Sequence, residues 1–161
     1  MSKNFNYTTN RRGLMLHIKV IEIKKRKIDV QKAIQYVSSP YFGAIILFTG
    51  TVRNENNKKK VKGVSYDSHD KLVIKSIKEI YSDSTKKLNI KKKAIFVEHA
   101  KGYLKLGEKS IVIAVGCKHR GEAYKLSRFF IEQIKKRTPV WKKEHYIGSN
   151  SSWLKGVSIK K

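Results

Sequence analysis

Apolar residues along this chain keep two rhythms, a period of two and a period near 3.6, and the switches between them divide it into elements. From Leu14 to Ile23 the pattern alternates. Leu16, Ile18, Val20 and Glu22 fall on one side, and His17, Lys19, Ile21 and Ile23 on the other, which predicts a strand. A basic turn, Lys24 to Lys27, follows. Asp29 is placed to cap a short helix with Val30, Ala33, Ile34 and Val37 on one face, and Ser38-Ser39-Pro40 stops it. Gly43 to Val52 (GAIILFTGTV) is apolar on both faces at first and predicts a central strand. Residues 54–60 (NENNKKK) read as a solvated, mobile loop, and Val61 to Tyr66 as a short strand.

Helical spacing returns from Asp70 to Leu88, through Leu72, Val73, Ile77, Ile80, Tyr81 and Leu88. Lys91 to Lys93 is a charged turn, Ala94 to His99 a strand, Gly102 to Glu108 a turn-rich connector, and Ser110 to Gly116 a buried strand. A helix from about Gly121 to Arg137 buries Ala123, Leu126, Phe130, Ile131 and Ile134, and Pro139 forbids its continuation. Beyond it, Trp141, Tyr146 and Trp153 read as irregular chain, with Trp141 a core anchor. The order β-α-β-β-α-β-β-α, without repeat or linker, predicts one α+β domain: a mostly antiparallel sheet with flanking helices. That domain spans residues 14–156, between a polar, frayed tail over 1–13 and a basic tail over 157–161.

Composition narrows the class. With 161 residues and 40% hydrophobic content the chain can bury a real core. A single cysteine, Cys117, excludes an intramolecular disulfide and a cysteine-rich zinc site. No apolar run approaches the ~20 residues that span a bilayer, and no signal-peptide core is present, so a cytoplasmic, soluble protein is expected. Against 12 acidic residues stand 37 Lys and Arg, a net charge of +25. Two readings compete: a polyanionic partner such as nucleic acid, or an accumulation of solvated lysine, since Arg rather than Lys is the residue of bidentate phosphate readout.

Candidate chemistry gathers at the two ends of the last helix. Gly116 to Ala123 closes an apolar strand and opens the helix with His119-Arg120, and a helix N-terminus with an adjacent arginine suits an anion. Lys135-Lys136-Arg137 ends it, and Pro139-Val140-Trp141-Lys142-Lys143-Glu144 follows. The bland reading of Lys135-Lys136-Arg137 is decoration of a helix C-terminus; the functional reading is a site for a phosphate-bearing small molecule, with both lysines and the arginines converging on one anion-holding cavity. Clustered cations depress one another's pKa, which would leave a lysine free for acid–base work. His119 is either a ligand contact or a structural histidine. Cys117 reads as a small buried hydrophobe, and a persulfide role is the alternative. Lys58 to Lys60 and Lys91 to Lys93 read as solvated turns.

These pieces resemble the large, catalytic subunit of molybdopterin synthase. The matching residues are Gly43-Ala44 with Phe48-Thr49-Gly50-Thr51-Val52-Arg53-Asn54, Gly102-Tyr103-Leu104 with Gly107-Glu108, His119-Arg120 with Glu122-Ala123, Lys135, and Pro139 to Glu144 with Trp153. The chain departs from that pattern at Ser65 to His69, where relatives show an acidic-aromatic stretch. The resemblance implies an α/β hammerhead-like fold and a sulfurtransferase that converts cyclic pyranopterin monophosphate to molybdopterin, in molybdenum cofactor biosynthesis. It implies sulfur supplied by the C-terminal Gly-Gly thiocarboxylate of a small ubiquitin-like subunit, and a homodimer within a heterotetramer. No metal or organic cofactor is implied. By matched position, Lys135 and Lys142 are the catalytic lysines, and Arg53, His119 and Arg120 bind the substrate. Phe48 and Ile131 lie near the partner's inserted tail. Two alternatives stand beside this reading: a basic nucleic-acid-binding module, and a non-catalytic relative keeping only the dimer scaffold.

Overall fold

The computed structural model describes residues 15–154, so the tails expected over 1–13 and 157–161 lie outside the described residues. Strand β1 (Met15–Glu22) is followed by helix α1 (Val30–Val37) and strand β2 (Ala44–Thr51). Then come β3 (Glu55–Asn56), β4 (Lys59–Ser68), α2 (Asp70–Leu88), β5 (Lys93–Lys105) and β6 (Lys109–Cys117). Helix α3 (Arg120–Arg137), β7 (Val140–Tyr146) and β8 (Ser152–Trp153) complete the described chain. The strands run in the order β2-β6-β5-β4-β7-β8, with β1 alongside β5 and β3 against β4. Every pairing is antiparallel except β1 with β5. This is the α+β, mostly antiparallel class that the pattern predicts.

Both sheet faces are buried. Val73, Ile77 and Ile80 of α2 and Leu126, Phe130 and Ile134 of α3 close on Ile95, Val97, Ile113 and Val115. On the other face Ala33 and Val37 of α1 close on Ala94, Phe96, Val112 and Ala114. Asp29 caps α1 as expected, accepting from the backbone N–H groups of Gln31 and Lys32 at 2.9 and 3.2 Å. Beneath β1 the buried Glu98 carboxylate takes a two-pronged Arg26 guanidinium at 3.1 and 2.6 Å and a bond from His17. His17, on that side of the first strand, therefore serves an internal ion pair.

Four expectations change. β2 is an edge strand, with Ile45 and Leu47 exposed at 39% and 36%, because α1 packs mainly over β5 and β6. An apolar run looks the same whether its own chain or another covers it. Residues 54–60 form a hairpin rather than a loop: Asn57 and Lys58 both adopt positive φ, 48° and 62°, the backbone of a tight two-residue turn. Gly102 to Lys105 belongs to β5, where it leaves β6 and pairs with β4. The stretch after Pro139 is sheet: β7 pairs with β4, and β8 pairs with β7.

Candidate active site

The sheet's directions decide which candidates meet. β2 runs antiparallel to β6, with Ala44 beside Cys117 and Thr51 beside Lys109. Arg53, just past β2, therefore sits at the end of the sheet opposite to His119-Arg120, just past β6. Helix α3 then returns along the sheet, and its 15-residue step from Arg120 to Lys135 advances about 22 Å. Lys135 and the start of β7 thus come back to the Arg53 end, while His119 and Arg120 stay behind. Of the five cationic candidates, Arg53 and Lys142 line one cavity, Lys135 lies at the same end of the sheet but outside that lining, and His119 and Arg120 lie at the other end. The physical reason is the strand–helix return, which keeps the two ends of α3 apart.

At the Arg53 end a small cavity of about 30 Å³ is lined by Thr51, Val52, Arg53, Glu55, Asn56, Val61, Val64, Tyr66, Lys142 and Glu144. β7 places Lys142, Glu144 and Tyr146 on one face by period-two alternation, opposite Tyr66, Val64 and Val61 of β4. Lys142 Nζ donates to Glu144 Oε1 at 2.7 Å. Tyr146 Oη donates to Glu144 Oε2 at 2.6 Å, and Asn56 Nδ2 lies 3.1 and 3.0 Å from the two carboxylate oxygens. Asn56 Oδ1 accepts from Arg53 Nη2 at 3.5 Å, so one amide links the arginine to the buried carboxylate. Burial alone would push the Glu144 carboxyl up, but the bonds from Lys142, Tyr146 and Asn56 outweigh it and hold it below its ordinary value. Lys142 is accordingly one half of an ion pair, not a cation among cations as the sequence suggested. The Tyr146 phenol is raised by its bond to that carboxylate and by burial.

The remaining candidates divide by surroundings. Phe48 of β2 and Ile131 of α3 are half-buried against the same core cluster. Lys135 is exposed on the last turn of α3 and outside the cavity lining. Its neighbour Arg137 is a tie between helices: Nη1 donates to Asp83 of α2 at 2.6 Å, and Nη2 to Glu79 at 3.5 Å. His119 is exposed at the N-cap position of α3 without capping it, and Arg120 is exposed beside it. Trp141 is 47% exposed rather than a core anchor, since alternation turns it away from Lys142, and Trp153 is 53% exposed. Cys117 is fully buried, and burial pushes its thiol up to about 11, as a small hydrophobe would read. Among the described residues no group of three or more His, Cys, Asp or Glu is arranged to hold a metal ion.

Asn56, Glu144 and Tyr146 are the polar partners that element prediction passes over. Reading the tail as irregular hides the signal, which is the spacing Lys142, Glu144, Tyr146 on alternate positions of one strand.

An α+β scaffold that points an arginine and a lysine into one cleft, over a buried carboxylate, defines an enzyme built around an anionic group. The chain belongs to the MoaE protein family, whose profile matches residues 23–137. It is 36% identical to the molybdopterin synthase catalytic subunit of Emericella nidulans, over 83% of this chain and 67% of that one. To the catalytic subunit of Pyrococcus abyssi it is 34% identical, over 86% and 92%. Among solved structures, molybdopterin synthase from Staphylococcus aureus superposes with a TM-score of 0.75 at 25% identity, covering 88% of this chain and 96% of that one. A protein–protein complex of subunits 1 and 2 of molybdopterin-converting factor from Helicobacter pylori superposes with a TM-score of 0.60 at 26% identity, covering 81% and 84%. The chain is thus an enzyme of the molybdopterin synthase catalytic-subunit type, a sulfurtransferase in molybdenum cofactor biosynthesis. No helix among the described residues is long and apolar enough to cross a membrane.

Proposed function

We propose that this chain inserts sulfur into cyclic pyranopterin monophosphate, taking it from the C-terminal thiocarboxylate of a small ubiquitin-like subunit. The observation that carries the reading is the shared cavity of Arg53 and Lys142, with Glu144 buried behind it. A guanidinium and an ammonium at one cleft suit an anionic tail and an anionic acceptor, and their fixed placement favours charge that develops as carbon–sulfur bonds form. Lys142 assists the transfer, and Lys135, one helix turn from Pro139, meets the carboxyl terminus of the partner. Phe48 and Ile131 offer apolar surface to the tail.

His119 and Arg120 bind the substrate's phosphate and pterin from a second copy of the chain. Their separation from Lys135 along α3 supports a site completed across a dimer, as does the edge of β2, unpaired among the described residues and carrying exposed Ile45 and Leu47. With one small subunit at each end, the assembly is a heterotetramer, in line with the Helicobacter pylori two-subunit complex. Mixing the protein with the thiocarboxylated small subunit and the cyclic precursor tests the proposal. Dithiolene product supports it, and no product from the intact chain refutes it.

A further inference from the structure

At the sheet end opposite to Arg53 and Lys142 lies a larger cavity, about 250 Å³, lined by Met15, Tyr41, Phe42, Tyr81 and the lysines Lys91, Lys92 and Lys93. Expected to be solvated, Lys93 is only 4% exposed. Its ammonium donates to Thr85 Oγ1 at 2.5 Å and to the Ile90 carbonyl at 2.7 Å, and lies 4.5 Å from the centre of the Tyr81 ring. Among the described residues its partners are the Thr85 hydroxyl, the Ile90 carbonyl, the Tyr81 ring and the Cys117 thiol, none of them a carboxylate. Burying a cation without a counter-charge is costly, and buried charges are ordinarily paired. Desolvation accordingly lowers this amine to about 8. Among the described residues no acidic side chain lines the cavity, and Lys91 and Lys92 add positive charge at it. Tyr41 meanwhile stands 80% exposed at the same place, a large ring without cover.

The three lysines at the cavity favour an anion, and its aromatic and apolar walls favour a flat ring. We infer that this cavity is a second ligand site, outside the Arg53–Lys142 cleft, for a phosphorylated fused-ring compound. The ring lies among Tyr41, Phe42 and Met15, and the phosphate among the lysines. Nucleotides and pterin phosphates share that chemistry.

Titration calorimetry of the full chain with GMP, with a pterin monophosphate and with inorganic phosphate, at fixed salt, tests the inference. The expected result is that at least one ring-bearing phosphate binds at least about tenfold more tightly than inorganic phosphate, and the GMP and pterin arms identify which. Tyr41→Ala and the double change Lys91→Ser with Lys92→Ser each weaken that binding about tenfold. Because Tyr41 is an exposed loop side chain, its removal leaves the fold and sulfur transfer unchanged. Equal binding of ring-bearing and inorganic phosphate overturns the inference, as does binding indifferent to Tyr41→Ala. Loss of binding in Arg53→Ala with Lys142→Ala, or in Arg120→Ala, assigns the ligand to the transfer site and also overturns it. None of these results depends on whether sulfur is transferred, so the two proposals fail separately.

Discussion

Lys142 Nζ donates to Glu144 Oε1 across 2.7 Å, and the carboxylate that receives it is 1% exposed. The two side chains share one face of one strand, so the backbone fixes their separation, and Asn56 and Tyr146 fix the carboxylate's orientation. Glu144→Gln keeps the shape and removes the charge. It should lower stability by about 1–3 kcal/mol and cut sulfur transfer at least about tenfold, through loss of the ammonium's placement. Tyr146→Phe should keep the fold and reduce transfer several-fold. Thermal melting alongside turnover checks both, and a folded Glu144→Gln chain with full turnover would detach the carboxylate from the chemistry.

Adjacent cations at the end of α3 should behave in opposite ways. Arg137 ties α3 to Asp83 and Glu79 of α2, whereas Lys135 is exposed. Arg137→Ala should lower the melting temperature by at most about 3 °C, the scale of a surface ion pair in a chain of this size, and leave transfer unchanged. Lys135→Ala should leave melting unchanged and lower transfer. Parallel melts and turnover assays separate the two roles.

Acid should destabilise the fold in two stages. Burial pushes the His99 imidazole below its ordinary 6.5, and its hydrogen bond to the Ala100 carbonyl opposes this only partly. The folded chain therefore keeps His99 neutral, while the unfolded chain takes up its proton near pH 6.5. That contribution is complete above pH 6.5 and is lost as pH falls below it. Burial opposes the charge of Glu98 and Glu144, but their bonds win and hold both below the ordinary 4.5. Their contribution is present above 4.5 and disappears only as pH falls further, through their folded-state values. Urea midpoints measured from pH 8 down to about pH 3 should show one decline below pH 6.5 and a second below pH 4.5. His99→Gln should flatten the first stage, leaving the part due to His145, which burial and then Lys143 and Lys62 also lower.

Gly116 marks where the end of α1 crosses β6. A Cβ there would stand 2.6 Å from the Val37 carbonyl oxygen and 2.9 Å from the Phe42 ring. Backbone cannot yield as a side-chain tip can, so Gly116→Ala should cost about 1–3 kcal/mol. A melting temperature equal to the wild type would show that α1 does not sit this close.

Helices and buried strands were legible because local rules and burial agree on them. Asp29 caps α1, Asp70 to Leu88 is helical as its spacing says, and Pro139 follows the end of α3. The sheet after Pro139 was not legible, because β7 alternates lysine, glutamate and tyrosine on its inner face, where a pattern reader looks for apolar residues. Lys93 was hidden in the same way: in sequence it is the third lysine of a charged turn, in space it faces Tyr81. Of the site, Arg53 and Lys142 could be named, but not their linkage through Asn56, which depends on a hairpin built on two positive-φ residues. The helical pattern did place His119-Arg120 and Lys135 at opposite ends of α3, and it is the length of that helix that a single intrachain cavity fails to respect.

The reconstituted reaction tests the account most directly, with thiocarboxylated small subunit, cyclic pyranopterin monophosphate and four preparations: the intact chain, Lys142→Ala alone, Arg120→Ala alone, and the two variants dissociated and reassembled in equal amounts. The intact chain should make dithiolene product and each variant alone almost none. The mixture should recover about a quarter of full activity, since half its dimers carry one undamaged composite site. Full product from Lys142→Ala alone, or no recovery in a mixture shown to contain mixed dimers, would contradict the account.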